Sequence, residues 1–213
     1  MNTQLIVSQV EQAIARATNF QSKLPADTLP LTGKAMSGKR ERHLLNNLAA
    51  VFTPYVEVGC FHGSTLLAAA YRNTGLIVGV DNFVSGSGNR QTLLQNLMTY
   101  GEARASVIDA SCWNVPLTGF RCCFWDGPHT KEDQKNALVA LRHWYTDTFV
   151  FVVDDWQRPE VVEGTREGIA TAGLRVDFEK VLTSPGDPAA FANGVGNSDW
   201  WWCSLGVFVL TQV

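Results

Sequence analysis

The sequence predicts an α/β domain built on a mostly parallel sheet with helices on both faces. Three observations predict it. From Tyr55 onward, short apolar runs alternate with longer segments of helical spacing. The first of these runs ends in a sharp turn bounded by Gly59 and Gly63. Near the end of the chain, two strand patterns follow one another with no helix long enough for a crossover, so an antiparallel hairpin should close the sheet.

The elements follow in order. Leu5, Ile6, Val10, Ala13, Ile14 and Ala17 recur at helical spacing, which predicts a helix over 4–17. Residues 21–36 carry Pro25, Pro30 and Gly33 and read as a loop. A second helix is expected over 37–50, with Leu44, Leu45 and Leu48 on one face. Strands are then expected at 55–58, 76–80, 105–108, 121–125 and 149–153, and helices at 64–73, 89–100, 131–145 and 160–173. The closing strands are expected at 176–181 and 203–210, joined by a loop rich in Gly, Pro and Asn. This organisation is one domain over 1–213, with a helical extension over 1–50 and a core over 51–213.

Composition narrows the function. A chain of 213 residues can bury a sizeable core, and 46% hydrophobic with 17% charged residues excludes a disordered chain. The net charge is −3, and no basic tract stands out beyond Lys39-Arg40-Glu41-Arg42, so no nucleic-acid partner is expected. Charges and glycines interrupt every apolar run, so no membrane span is expected. No basic region followed by an apolar core opens the chain, so no signal peptide is expected. The cysteines are Cys60, Cys112, Cys122, Cys123 and Cys203, an odd number without a Cys-x-x-Cys pair, which points to reduced thiols and a cytoplasmic location. A small-molecule substrate is the expected partner, and a homo-oligomer is compatible with the chain.

The stretch Glu57-Val58-Gly59-Cys60-Phe61-His62-Gly63-Ser64 carries the most information. It places an acid inside a strand end, then a glycine-bounded turn, then a helix start at Ser64. A buried acid is costly without a partner, so Glu57 is expected to serve a ligand or a polar network. Asp81 ends the next apolar run, 22 residues after Gly59, and Asp109 ends the third. A carboxylate at the end of the second strand lies beside the first turn, where it can take ribose hydroxyls or cap a turn. His62 reads as a partly exposed loop histidine.

This segment resembles motif I of class I S-adenosylmethionine-dependent methyltransferases, acid-x-Gly-x-x-x-Gly. It departs from the dinucleotide form Gly-x-Gly-x-x-Gly, because Phe61 stands where the second glycine would be. The resemblance implies a three-layer, Rossmann-like fold with strand order 3-2-1-4-5-7-6 and an antiparallel strand 7. It implies S-adenosylmethionine as cofactor, held by Glu57, Gly59, Gly63, Ser64, Asp81 and Asp109, the last near the adenine amino group.

Two further runs end in acids. Phe120–Trp125 leads into Asp126-Gly127-Pro128-His129, and Phe149–Val153 leads into Asp154-Asp155-Trp156. Neighbouring strands about 4.8 Å apart would bring these carboxylates together at the ligand-binding edge of the sheet, where they repel unless a cation neutralises them. An all-oxygen set suits Mg²⁺, and His129 could serve as general base for a substrate hydroxyl. Asp-Gly-x-His followed by Asp-Asp resembles the metal-dependent sugar O-methyltransferases of the macrocin type over roughly residues 50–165. That resemblance implies metal ligation by Asp126, Asp154 and Asp155, and catalysis by His129 with Asp126. The plainer readings stay open. In them His129 simply precedes a helix cap at Thr130, and Asp154 bonds to backbone, leaving only Asp155 free.

The expected function is therefore methyl transfer from S-adenosylmethionine to a small-molecule hydroxyl, with Mg²⁺ assistance. The alternatives are a nicotinamide-dependent oxidoreductase and a methyltransferase-like binding module without turnover. Trp200, Trp201 and Trp202 are expected to pack against helices, and Lys39, Arg40 and Arg42 to form a solvated helix face.

Overall fold

The protein is described by a computed structural model covering residues 2–25, 29–84, 88–183 and 199–213. Its strands are β1 (Tyr55–Val58), β2 (Ile77–Asp81), β3 (Ser106–Asp109), β4 (Phe120–Trp125), β5 (Tyr145–Val153), β6 (Leu174–Leu182) and β7 (Leu205–Gln212). Its helices are α1 (Thr3–Thr18), α2 (Lys39–Val51), α3 (Ser64–Ala70), α4 (Arg90–Thr99), α5 (Lys131–Val139) and α6 (Pro159–Thr171). All seven strands form one sheet in the order β3-β2-β1-β4-β5-β7-β6. The pairs from β3 to β5 are parallel, and β7 runs antiparallel to both β5 and β6. The expected fold class and strand order are both observed.

The sheet is buried on both faces where its central strands β4 and β5 run apolar to their C-terminal ends. Val150, Phe151, Val152 and Val153 of β5 are inaccessible, as are Cys122, Cys123, Phe124 and Trp125 of β4. One face packs on α1 through α4 by way of Leu44, Leu48, Leu66, Leu93 and Leu97. The other packs on α5 and α6 by way of Ala137, Leu138, Val161 and Ile169. Among the described residues no helix is long and apolar enough to cross a membrane. None of the five cysteines is paired in a disulfide.

Two boundaries differ from expectation. The helix expected over 131–145 ends at Val139, and after a short 3₁₀ turn over 142–144 the chain is already in β5 at Tyr145. Tyr145 is buried, stacks on Phe149 at 4.4 Å and donates to the Ala137 carbonyl, so burial of its ring draws the chain into the sheet early. The strand β6 also starts earlier than expected, at Leu174, because it pairs with β7 along its whole length. Most of the Gly-, Pro- and Asn-rich loop expected to join the closing strands, residues 184–198, lies outside the described residues.

The N-terminal helices and the entry to β7 hold each other. Arg40 lies over the rings of Phe20 and Trp200, at 5.2 and 4.5 Å, and Lys39 pairs with Asp199 at 2.9 Å. A side chain at Gly38 would collide with the Trp200 carbonyl, so the start of α2 lies directly on the segment entering β7. In place of the solvated face expected for Lys39, Arg40 and Arg42, Lys39 and Arg40 form a clasp and Arg42 is 4% exposed. Trp201 and Trp202 are buried as expected, while Trp200 is partly exposed beneath Arg40.

Candidate active site

The parallel strands deliver their last residues to one edge. Backbone bonds continue the ladder past the strand ends: Gly59 donates to Val80, Asp126 to Val58 and Asp154 to Trp125. The acids within β1, at the end of β2 and after β4 and β5 are thereby fixed relative to one another.

The glycine turn uses positive φ at Gly59 (+87°) and Gly63 (+84°). A Cβ on Gly59 would lie 1.9 Å from the Asp126 carbonyl oxygen. The close approach that demands glycine is therefore made by the end of β4 itself. Asp81 sits against the same turn. Its Oδ2 accepts from the amides of Cys60 (2.8 Å) and Phe61 (2.9 Å), and its Oδ1 accepts from Phe83 (2.7 Å). The cap and ribose readings of Asp81 meet here, since three of about four acceptor positions on a carboxylate are already used.

Glu57 is fully buried beneath the turn. Its two oxygens accept from the hydroxyls of Tyr55 (3.1 Å) and Thr65 (2.7 Å), which ties β1 to the first turn of α3. Burial pushes its carboxyl well above the usual range, against the pull of the Thr65 bond. Ser64 is buried too. Its hydroxyl donates to the Ala35 carbonyl and meets Ser37 at 2.9 Å. The segment 32–37 therefore lies on the turn. Lys34 donates to His62 Nδ1 (3.0 Å), and Asn96 bridges Thr32 and the His62 carbonyl. This cover makes His62 8% exposed, where sequence spacing predicted a partly exposed loop histidine. Asp109 stands apart, more than half exposed, with Arg90 at 3.9 Å.

The ends of β4 and β5 have a different character. His129 lies between two carboxylates, with Nε2 3.4 Å from Asp126 Oδ1 and Nδ1 3.5 Å from Asp155 Oδ2. Arg158 reaches the same Asp155 oxygen at 3.6 Å. Burial works to lower the His129 pKa, but the Asp126 and Asp155 carboxylates outweigh it and the net shift is upward. Burial raises the carboxyls of Asp126 and, well beyond the usual range, Asp154. His129 does directly precede a cap, because the Thr130 hydroxyl accepts from the Asp133 amide at 3.1 Å. The two roles coexist.

Sequence reasoning missed two contributors. Glu41, hidden in the basic tract of α2, is fully buried, and burial lifts its carboxyl to about 8, with Asp126 and Asp155 adding to the rise. Cys203, read as a strand thiol, faces Asp155 and Asp154. No spacing signal marks either one, because both arrive through the clasp between α2 and the entry to β7. Non-glycine residues with positive φ gather nearby: Phe61, Phe83, Asp155 and the run Trp202, Cys203 and Ser204. Such strain is usual at binding sites. The expected metal set is not assembled: among the described residues no group of three or more His, Cys, Asp or Glu is arranged to hold an ion. A groove of about 380 Å³ between α1 and Asp177 shares no residue with this edge.

No family model matches the chain, and no curated protein matches its sequence. Solved structures do resemble it. An O-methyltransferase from Bacillus cereus, in complex with S-adenosylhomocysteine, is 12% identical over 96% of this chain and 90% of its own, with a TM-score of 0.57. A ribosomal protein L11 methylase from Lactobacillus delbrueckii subsp. bulgaricus is 14% identical over 82% and 80%, with a TM-score of 0.52. TrmN from Thermus thermophilus is 11% identical over 81% of this chain, at a TM-score of 0.56. The chain spans about half the length of TrmN, 49%. At these identities the likeness establishes the methyltransferase fold.

Proposed function

We propose that this protein is an S-adenosylmethionine-dependent methyltransferase acting on a hydroxyl of a small molecule. One contact carries the reading. Gly59 of the cofactor turn lies against the backbone of Asp126, which in turn neighbours His129, so the turn and a proton acceptor share one corner of the sheet edge. Methyltransferase neighbours of this fold support the reading, and their differing acceptors leave the substrate to the site itself.

The residues present fit the cofactor. The turn offers glycines at both bends, and Asp81 keeps one acceptor position for a ribose hydroxyl after its three amide donors. Asp109 and Arg90 border the far side. Glu57 and Ser64 act from beneath, holding the turn and the start of α3 rather than reaching a ligand directly. When bound, S-adenosylmethionine supplies an electrophilic methyl on a sulfonium. His129 would take the acceptor hydroxyl's proton on a ring nitrogen as that oxygen received the methyl and the thioether left. Asp126 and Asp155 orient the ring and stabilise the imidazolium that results. The carboxylates do not form an ion-holding set, so no step of this mechanism runs through Mg²⁺.

Calorimetry with S-adenosylhomocysteine tests the reading. Binding by folded protein is expected. Absence of binding, with an intact circular dichroism spectrum, overturns it.

A further inference from the structure

The glycine turn carries a cover that the methyl-transfer reading leaves unexplained. Residues 32–37 cross it on the side of His62 and Ser64, which are 8% and 7% exposed beneath. Both ends of this strap are anchored. At one end the Thr32 amide and carbonyl pair with the Asn96 side chain at 2.9 and 3.0 Å, and the Tyr100 hydroxyl donates to the Pro30 carbonyl. At the other end Ser37 and Gly38 are buried, and a Cβ on Gly38 would lie 1.8 Å from the Trp200 carbonyl oxygen.

Between the anchors the contacts are few. The Lys34 amide donates to His62 Nδ1 at 3.0 Å, and the Ser64 hydroxyl donates to the Ala35 carbonyl. Gly33, Lys34 and Met36 are exposed, so little apolar surface holds the middle of the strap down. A stretch of that kind opens locally while the rest of the fold stays intact. The backbone turns through positive φ on either side of Lys34 and Ala35, at Gly33 (+86°) and at Met36 (+42°). Glycine adopts that conformation freely, whereas methionine is strained in it, so the closed form depends on its two latches. We propose that residues 33–36 are a lid over the cofactor turn, hinged at Gly33 and Met36 and latched by His62 Nδ1 and the Ser64 hydroxyl, which lifts to admit S-adenosylmethionine and closes on it. This proposal rests on the methyltransferase reading and adds a gated entry step to the same site.

The test is residue-resolved amide exchange of the full chain in rising urea below the unfolding transition. The Lys34 amide is expected to exchange through an opening that urea does not accelerate, while the Gly59 amide, bonded to Val80, exchanges only through urea-dependent unfolding. His62→Leu removes the acceptor and should speed Lys34 exchange by about tenfold, whereas His62→Asn keeps an acceptor near the Nδ1 position and should stay within about twofold of wild type. Ser64→Ala removes the other latch and should speed Lys34 exchange likewise, should His62→Leu fail to fold. Saturating S-adenosylhomocysteine should slow Lys34 exchange by about tenfold or more. Equal urea dependence of Lys34 and Gly59 overturns the lid, because the strap would then belong to the core. So does bound S-adenosylhomocysteine that leaves Lys34 exchange unchanged, or equal exchange in His62→Leu and His62→Asn. If S-adenosylhomocysteine does not bind, the methyltransferase reading falls, and the urea and His62 comparisons still decide whether the strap opens.

Discussion

The β1–β2 corner and the β4–β5 corner occupy the same edge of one sheet, yet their polar groups are treated in opposite ways. At the first corner the carboxylates are matched: Asp81 takes three amides, and Glu57 takes two hydroxyls. At the second, Glu41 Oε1 and Asp154 Oδ1 lack partners, and His129 sits at ion-pair distance from two acids. The difference teaches that one corner is finished by the chain alone, while the other is completed by a proton or a ligand. A matched network rigidifies a binding surface; an unmatched one is poised for chemistry.

The comparison can be broken most severely at its junction. Gly59→Val would force a branched residue to φ +87° and drive its Cβ into the Asp126 carbonyl, disturbing both corners at once. A loss of roughly 3–5 kcal/mol is expected in urea unfolding. A stability near wild type would show that this contact does not join the two corners.

Next in size is the response to pH. Glu41 is native as the neutral acid, with its pKa raised by burial from 4.5 to about 8. The unfolded chain ionises above 4.5 and the folded one does not until about 8. Stability is therefore fullest below pH 4.5 for this group and declines as pH rises to 8, by roughly 2–4 kcal/mol. Asp126 and Asp154 act in the same direction. Glu41→Gln should flatten the decline and leave the protein more stable than wild type at pH 8. A decline of unchanged steepness in the variant would assign the effect elsewhere.

At the matched corner, Asp81→Ala strips the acceptor from three amides and should cost about 2 kcal/mol even without cofactor. A change confined to S-adenosylhomocysteine affinity would mean that the turn holds its shape unaided. The smallest stability effect belongs to His129→Ala, within about 1 kcal/mol, although turnover should fall by about 10²–10⁴-fold. Because its pKa is raised, the rate carried by His129 as base should climb along a limb lying above pH 6.5. A limb at or below 6.5 would place the base elsewhere.

The legible part of the molecule was its strand ends. An apolar run stopping at an acid or glycine announces itself in one dimension, and Glu57, Asp81, Asp109, Asp126 and Asp154 were all found that way. What could not be read depends on segments meeting across the chain. Glu41 reads as one charge among Lys39, Arg40 and Arg42, yet it is fully buried within reach of Asp126 and Asp155, far from it in sequence. His62 looked exposed because the cover from 32–37 is a long-range event. Periodicity extends the helix to Tyr145, whereas its burial depends on Ala137 and Phe149.

The clasp of Arg40 between Phe20 and Trp200 has a consequence for the order in which the molecule is made. The side-chain hydrogen bonds that shape the glycine turn reach no further along the chain than residue 96, although the β1 ladder is completed by Asp126 donating to Val58. The environment of Glu41 and Cys203, by contrast, joins positions more than 160 residues apart. During synthesis from the N-terminus the side-chain partners of the glycine turn emerge early, whereas the acidic corner waits for the final strand. A nascent chain would carry the groups that shape its first corner well before it carried the last contacts of its second.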